Sequence, residues 1–367
     1  MSVLSQEQRL RVLAALVDGS SERAVERMTG VSRPSISKLA LRLGAGAVHL
    51  HNVQARDLSC SLIEADEIWS YVGKKQARVT AKDGPDVGEA YTFVGLAMPA
   101  RYVVAWKVGK RDQSTADAFV ADLRARLVVM PAMTSDGFAP YVSAIGKSFG
   151  PGVDYGQTIK NYRHGAARGP DHRYEPARDP FITKRAVYGA PDLKRATTAH
   201  IERHNGTMRH HIGRMRRLCY AFSKDIEHHR AAVALCHVHY NLYWIPRTMR
   251  VTPAMAVGAT DRAWELPELL DALLSTPDTA APTAKPLAFP VPQGTARALP
   301  GGRGFLRVVE GGGAPVAPPS PPASPVAAVG APAPVAEERL EPTGQLDLLA
   351  WKPKPRPPGQ LNLFGEE

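Results

Sequence analysis

Apolar residues recur along this chain in two different periods, and the change from one to the other divides it. In the first stretch the period is helical. Leu10, Leu13, Leu16 and Val17 share one face of a helix over Leu4 to Val17, which Gly19 ends. A short helix over Glu22 to Met28 follows, and Thr29-Gly30-Val31 makes a turn. Ser32 is placed to cap the next helix, whose first turn tolerates Pro34 because that N–H would have no intrahelical partner. Ile36, Leu39 and Leu43 then face inward and leave Arg33, Ser35, Ser37, Lys38 and Arg42 outward, the short and basic residues that a helix in a major groove presents. This spacing predicts a helix-turn-helix unit over residues 1–50. The plainer alternative is a three-helix bundle that only packs on the rest, and Glu26 stands where many such motifs carry a small residue.

After a loop over Gly44 to Asp57 the pattern changes to strands. Ser61 to Gly73 is an apolar, β-branched and aromatic run, Lys74 to Gly88 is polar and turn-rich, and Tyr91 to Met98 and Tyr102 to Val108 read as a hairpin. A helix over Ser114 to Leu127 carries Ala118, Phe119, Leu123 and Leu127 in one stripe. The apolar piece Val128 to Met133 then leads into Thr134-Ser135-Asp136-Gly137. Tyr141 to Phe149 reads as a helix and Val153 to Tyr162 as a last short strand. Arg163 to Ala196 has no periodicity and reads as a long loop or insertion, residues 163–197. Helices follow over Thr198 to Met215 and Lys224 to Tyr243. Three strands, a helix and a fourth strand, with acids at the first and fourth strands, are the ribonuclease-H-like layout. The expectation is therefore an α/β catalytic domain over residues 58–272 behind an all-α N-terminal domain. Beyond Thr276 the chain is dense in Pro, Ala and Gly and cannot bury enough apolar surface to fold alone, so residues 276–367 are expected to be a disordered tail.

Composition sharpens this picture at one place. The 44% apolar content supports at least one sizeable core, and the net charge is +11. From Lys160 to Arg217, 14 Lys or Arg stand against 5 Asp or Glu, an excess of nine, so most of the positive charge surrounds Glu202. A basic field of that kind suits a polyanionic substrate. Arg214, Arg216 and Arg217 extend it. Three cysteines without metal-type spacing suggest a reducing compartment without a disulfide framework. No apolar leader or membrane-length run is present, and the expectation is a cytoplasmic, nucleoid-associated protein that does not enter a membrane.

The candidate chemistry centres on Asp66, a charge inside an apolar strand. Asp136 repeats the arrangement at a second strand end, and Glu202 lies on a helix, 70 and 66 positions along in turn. Two strand-end aspartates and a helical glutamate can hold two Mg²⁺ or Mn²⁺ ions for phosphoryl transfer. At about 100° per residue, Arg209 returns to within roughly 20° of the Glu202 face and could reach a phosphate. Glu67 is the nearest rival acid, but strand alternation points it to the opposite sheet face from Asp66. His200 and His204, at i and i+4, offer a weaker zinc reading with no third ligand. His228, His229, His237 and His239 read as packing or surface residues.

With these residues assembled, the chain resembles transposases of the bacterial insertion-sequence-one family, DDE-type recombinases. The resemblance runs through ERMTGVSRPSISKL (Glu26 to Leu39), DEIWSYVGKKQ (Asp66 to Gln76), VGKRD (Val108 to Asp112), TSDGF (Thr134 to Phe138), IERHNGTMR (Ile201 to Arg209), AFSKDIEHH (Ala221 to His229) and RVTPAMAVG (Arg250 to Gly258). It departs from the family pattern at Trp244 and Pro246, where an arginine and a histidine are common. The resemblance implies that Asp66, Asp136 and Glu202 are the catalytic acids. It also implies binding of double-stranded DNA at element ends and target, strand cleavage and transfer, and a homo-oligomer on DNA. A transposase-derived regulator that binds but no longer cuts, and a structure-selective nuclease of the same fold, are the competing readings. At the C-terminus, Gln360-Leu361-Asn362-Leu363-Phe364 resembles the pentapeptide by which bacterial proteins dock on the DNA polymerase sliding clamp. Gln345 to Leu349 looks like a second, weaker copy.

Overall fold

A computed structural model describes residues 4–162, 180–216 and 220–275, which belong to one compact unit. The chain is mixed α/β. Helices α1 (Gln6–Val17), α2 (Glu22–Thr29) and α3 (Arg33–Gln54) lead into strands β1 (Leu62–Val72), β2 (Gly88–Met98) and β3 (Tyr102–Gly109). Then come α4 (Gln113–Ala125), β4 (Ala132–Ser135), α5 (Ala139–Phe149), β5 (Tyr155–Tyr162) and β6 (Pro180–Tyr188). Helices α6 (Ala199–His211), α7 (Ile226–Leu242), α8 (Pro253–Ala256) and α9 (Leu266–Leu274) close the described chain.

The six strands form one sheet in the order β3-β2-β1-β4-β5-β6. β1, β2 and β3 are antiparallel neighbours, β4 runs parallel to β1, β5 runs parallel to β4, and β6 returns antiparallel. Side-chain alternation along β1 serves two layers. Ile63 and Ala65 join the core that holds Phe93, Phe119 and Tyr141, all fully buried and each worth on the order of 2 kcal/mol relative to exposure. On the other face Leu62 meets Ile201 and Tyr240, and Ile68 meets Met208 and Val233, so α6 and α7 cover it. The outer edge of the sheet is sealed by α7: the Asn241 amide accepts the Val103 N–H and donates to the Val103 carbonyl, at 3.0 and 2.9 Å.

Three expectations about local structure are corrected. The loop expected over Gly44 to Asp57 is instead, as far as Gln54, the continuation of α3. Its glycines are not breakers but contact points, since a Cβ at Gly44 would lie 2.3 Å from that of Ala231 in α7, and one at Gly46 would lie 2.0 Å from the Leu273 carbonyl in α9. Ser32 does not cap α3; its hydroxyl pairs with that of Ser35. Glu26 does that work from α2, accepting the Arg33 N–H at 3.0 Å and pairing with its guanidinium at 3.2 Å. The stretch read as a loop or insertion contains β6, which pairs with β5 along its length. Phe181 and Ile182 are exposed on this edge strand. Only its last residues, Val187 and Tyr188, pack against the core, too short a stretch to show alternation, which is why periodicity missed it.

Candidate active site

The site exists because β1 outruns β4. Their pairing begins at Leu62 and Ala132 and ends at Ala65 and Ser135; Asp136 therefore stands at the carboxyl end of β4, whereas Asp66, expected at a strand end, lies within β1 at the point where its neighbour has stopped and the sheet opens a notch. Asp136 is held in its turn by the Phe138 N–H, 2.9 Å from Oδ1. Glu67 joins them: Asp66, Glu67 and Asp136 each bring a carboxylate oxygen within 4.8 Å of the others. This corrects the expectation that Glu67 lies apart. Alternation does turn it toward Tyr141, but at the end of β4 no strand separates the two faces, so both acids border the same gap.

The fourth acid is delivered by α6, whose start is fixed by a residue the sequence reading passed over. Glu64, fully buried two positions before Asp66, accepts the backbone N–H groups of His200 (3.1 Å) and Ile201 (2.9 Å) and bonds His200 Nδ1 at 2.6 Å. Thr198 makes no side-chain cap bond, so Glu64 supplies the capping acceptor from across the sheet. With α6 so anchored, Glu202 reaches the cleft, where it accepts from Thr198 Oγ1 at 2.7 Å and Lys160 Nζ at 2.6 Å. One turn on, Asn205 donates to Asp66 Oδ2. Asp66, Asp136, Glu202, Arg111, Lys160 and Phe138 line a cleft of about 540 Å³. Arg209 is half-buried and does not line it.

The electrostatics are those of crowded carboxylates. Burial, then the neighbouring charges of Glu67 and Asp136, pushes Asp66 up to about 7. Burial also raises Glu67 and Asp136, with Asp136 adding to the rise at Glu67. Arg111 offsets part of this. Its guanidinium lies 2.6 Å from Glu67 and 3.8 Å from Asp136 and stacks over the Phe138 ring at 4.0 Å, while the Tyr141 hydroxyl donates to the other Glu67 oxygen. Hard oxygen donors that repel one another in a half-buried notch fit a divalent cation, and the three-acid cluster could hold one.

Of the remaining sequence-predicted residues, Arg33, Ser37, Arg214 and Arg216 come together in the lining of a second cavity of about 910 Å³. On α3, Arg33, Lys38 and Arg42 are exposed and Ser35 is half-buried. Ser37 corrects the expectation of an outward face, because its hydroxyl bonds His228 Nε2 of α7 at 2.7 Å. Arg42 caps the end of α9 through the Leu274 carbonyl. Arg214 lies 3.5 Å from Glu22, Arg216 bonds the His210 carbonyl, and Arg217 falls outside the described residues. The zinc pair is not assembled: His200 turns to Glu64, and His204 is buried against His237 and Tyr240. Cys60 and Cys236 are free and buried. Among the described residues no helix is long and apolar enough to cross a membrane. The tail, with Gln360, Leu361, Leu363 and Phe364, lies outside the described residues.

Besides Glu64, sequence reasoning passed over Arg111, Lys160 and Asn205. Arg111 and Asn205 stand inside two of the quoted motifs, and Asn205 follows Glu202 by three on the same helical face. No protein-family model matches the chain, and no curated protein does. Among solved structures the chain is similar to a piggyBac transposase in a synaptic complex with hairpin DNA, determined by cryo-electron microscopy. That likeness has a TM-score of 0.32 at 9% identity and covers 75% of this chain and 72% of the other.

Proposed function

We propose that this chain is a metal-dependent DNA transposase of the DDE type, built on a ribonuclease-H-like core. The observation that carries the reading is the convergence of Asp66, within β1, and Asp136, at the end of the adjacent parallel strand, with Glu202 across the same cleft. The sheet order supports it, since three antiparallel strands followed by two parallel to the first are the ribonuclease-H-like arrangement expected from sequence.

Bound in the notch, two Mg²⁺ or Mn²⁺ ions would activate the attacking oxygen and stabilise the leaving one in phosphoryl transfer. Asp66, Asp136 and Glu202 would hold them. Asn205 orients Asp66, and Arg111 neutralises Glu67 so that four acids can share one site. The exposed start of α3, with Arg33, Ser35 and Lys38, would read DNA, and the basic Arg214, Arg216 and Arg217 would track its backbone. Assembly as a homo-oligomer on DNA, and docking of the 360–364 motif on a sliding clamp, belong to the same proposal.

The test is nicking of duplex DNA with purified full-length chain. Cleavage should require Mg²⁺ or Mn²⁺ and should vanish in Asp136→Ala while DNA binding stays within a few-fold. Cleavage that persists in Asp136→Ala removes the proposed site, and binding without cleavage in the unaltered chain favours the regulator.

A further inference from the structure

Both oxygens of Glu202 are already engaged. Lys160 Nζ lies 2.6 Å from Oε2, and the Thr198 hydroxyl donates to Oε1 at 2.7 Å. A hydroxyl can rotate away from an incoming cation, but an ammonium cannot share the same oxygen with one, because their like charges would meet at contact distance. An ion ligated through Glu202 Oε2, or through both oxygens, therefore displaces Lys160.

The displaced lysine stays in the cleft. It is carried by β5, which is paired on one side with β4 and on the other with β6, and its neighbours Thr158 and Ile159 line the same wall. Its flexible four-carbon stem lets the ammonium move while the backbone remains fixed. Arg111, the other cation among the described residues of the cleft, is restrained by Glu67 at 2.6 Å and by the Phe138 ring at 4.0 Å. Charge balance states what the moved lysine would meet. With the acids ionised, as metal ligation requires, Asp66, Glu67, Asp136 and Glu202 against Arg111 and Lys160 amount to −2, and two divalent ions turn that into +2. A cleft so charged attracts phosphates, and the lysine is the mobile part of that charge.

We propose that Lys160 is a metal-gated phosphate contact: it is paired with Glu202 in the metal-free protein and is released to a backbone phosphate of bound DNA when the ions load. This rests on the reading of the cleft as a DNA-cutting site, and it names the residue that would fill the phosphate role for which sequence spacing nominated Arg209.

The test measures binding of the full chain to a labelled duplex across a KCl series, once in EDTA and once in Ca²⁺, which takes the same carboxylate oxygens. Each lost phosphate contact lowers the slope of log K against log salt by about 0.9. Lys160→Ala should lose about that much in Ca²⁺ and nothing in EDTA, and Lys160→Arg should keep the slope in both. Glu202→Gln should raise the slope by about 0.9 in EDTA, because it removes the charge that holds the lysine. An unaltered chain that binds, with Lys160→Ala changing the slope equally in both media or in neither, overturns the inference and leaves the DNA reading standing. An unaltered chain that binds duplex in neither medium overturns both.

Discussion

The Asn205 amide stands 2.8 Å from Asp66 Oδ2, one helical turn beyond Glu202, so one face of α6 both delivers an acid to the cleft and aims the acid facing it. Partners that orient a metal-binding carboxylate typically change metal affinity or activity 10- to 100-fold when removed. Asn205→Ala should therefore shift the Mg²⁺ dependence of cleavage to about tenfold higher concentration. Asn205→Asp, which places a further negative charge against Asp66, should be worse than Ala. Metal titrations of cleavage check both, and an unchanged midpoint in Asn205→Ala would show that Asp66 needs no guide.

Glu64 gives a prediction about stability. Replacing it by Ala leaves the buried Ile201 N–H and the half-buried His200 N–H of α6 without their acceptor and should cost on the order of 3 kcal/mol, read as a lower urea midpoint at unchanged m-value. Glu64→Gln, which retains one acceptor oxygen, should cost less. Equal midpoints for Ala and the unaltered chain would mean that α6 is held by its apolar contacts alone.

Five buried histidines are held neutral by desolvation: His229 and His239 near 4, His204 near 3, and His51 and His237 well below their ordinary value. In the unfolded chain each titrates near 6.5. Between those values the unfolded chain binds more protons, so their contribution to stability is complete above about pH 6.5 and is lost as pH falls toward 4. His229 and His239 should each account for roughly 2 to 3 kcal/mol of that loss. Urea melts at falling pH should show the decline, and His239→Phe should flatten it.

Gly46 tests the close approach of α3 to α9. Gly46→Ala places a methyl 2.0 Å from the Leu273 carbonyl, and backbone must move. The expected loss is about 1 to 3 kcal/mol, although alanine is the better helix former. A gain in melting temperature would show that this contact is not as tight as described.

What could be read from sequence was whatever leaves a periodic trace or stands against one. Asp66 stood out as a charge in an apolar strand, and β1 to β3 and α4 to α7 lie close to their expected bounds because each buries one face. Features that depend on the third dimension were hidden. Gly44 and Gly46 look like a break until a second helix is laid on them. β6 packs only Val187 and Tyr188 against the core and so shows no period. Glu67 looked excluded because alternation is a rule about a strand with neighbours on both sides, and at Glu67 the neighbour has ended. Lys160 and Glu64 act only through partners 42 and 136 or more positions away, and no local pattern names such pairs.

The seal that Asn241 places on Val103 limits where this sheet can grow. An incoming peptide strand seeking the free edge of β3 finds the Val103 N–H and carbonyl already taken, both by one side chain. The opposite edge strand, β6, carries exposed Phe181 and Ile182. Strand addition at Val103 would first have to displace the Asn241 amide. The same helix that covers the sheet thus also closes β3 at this residue.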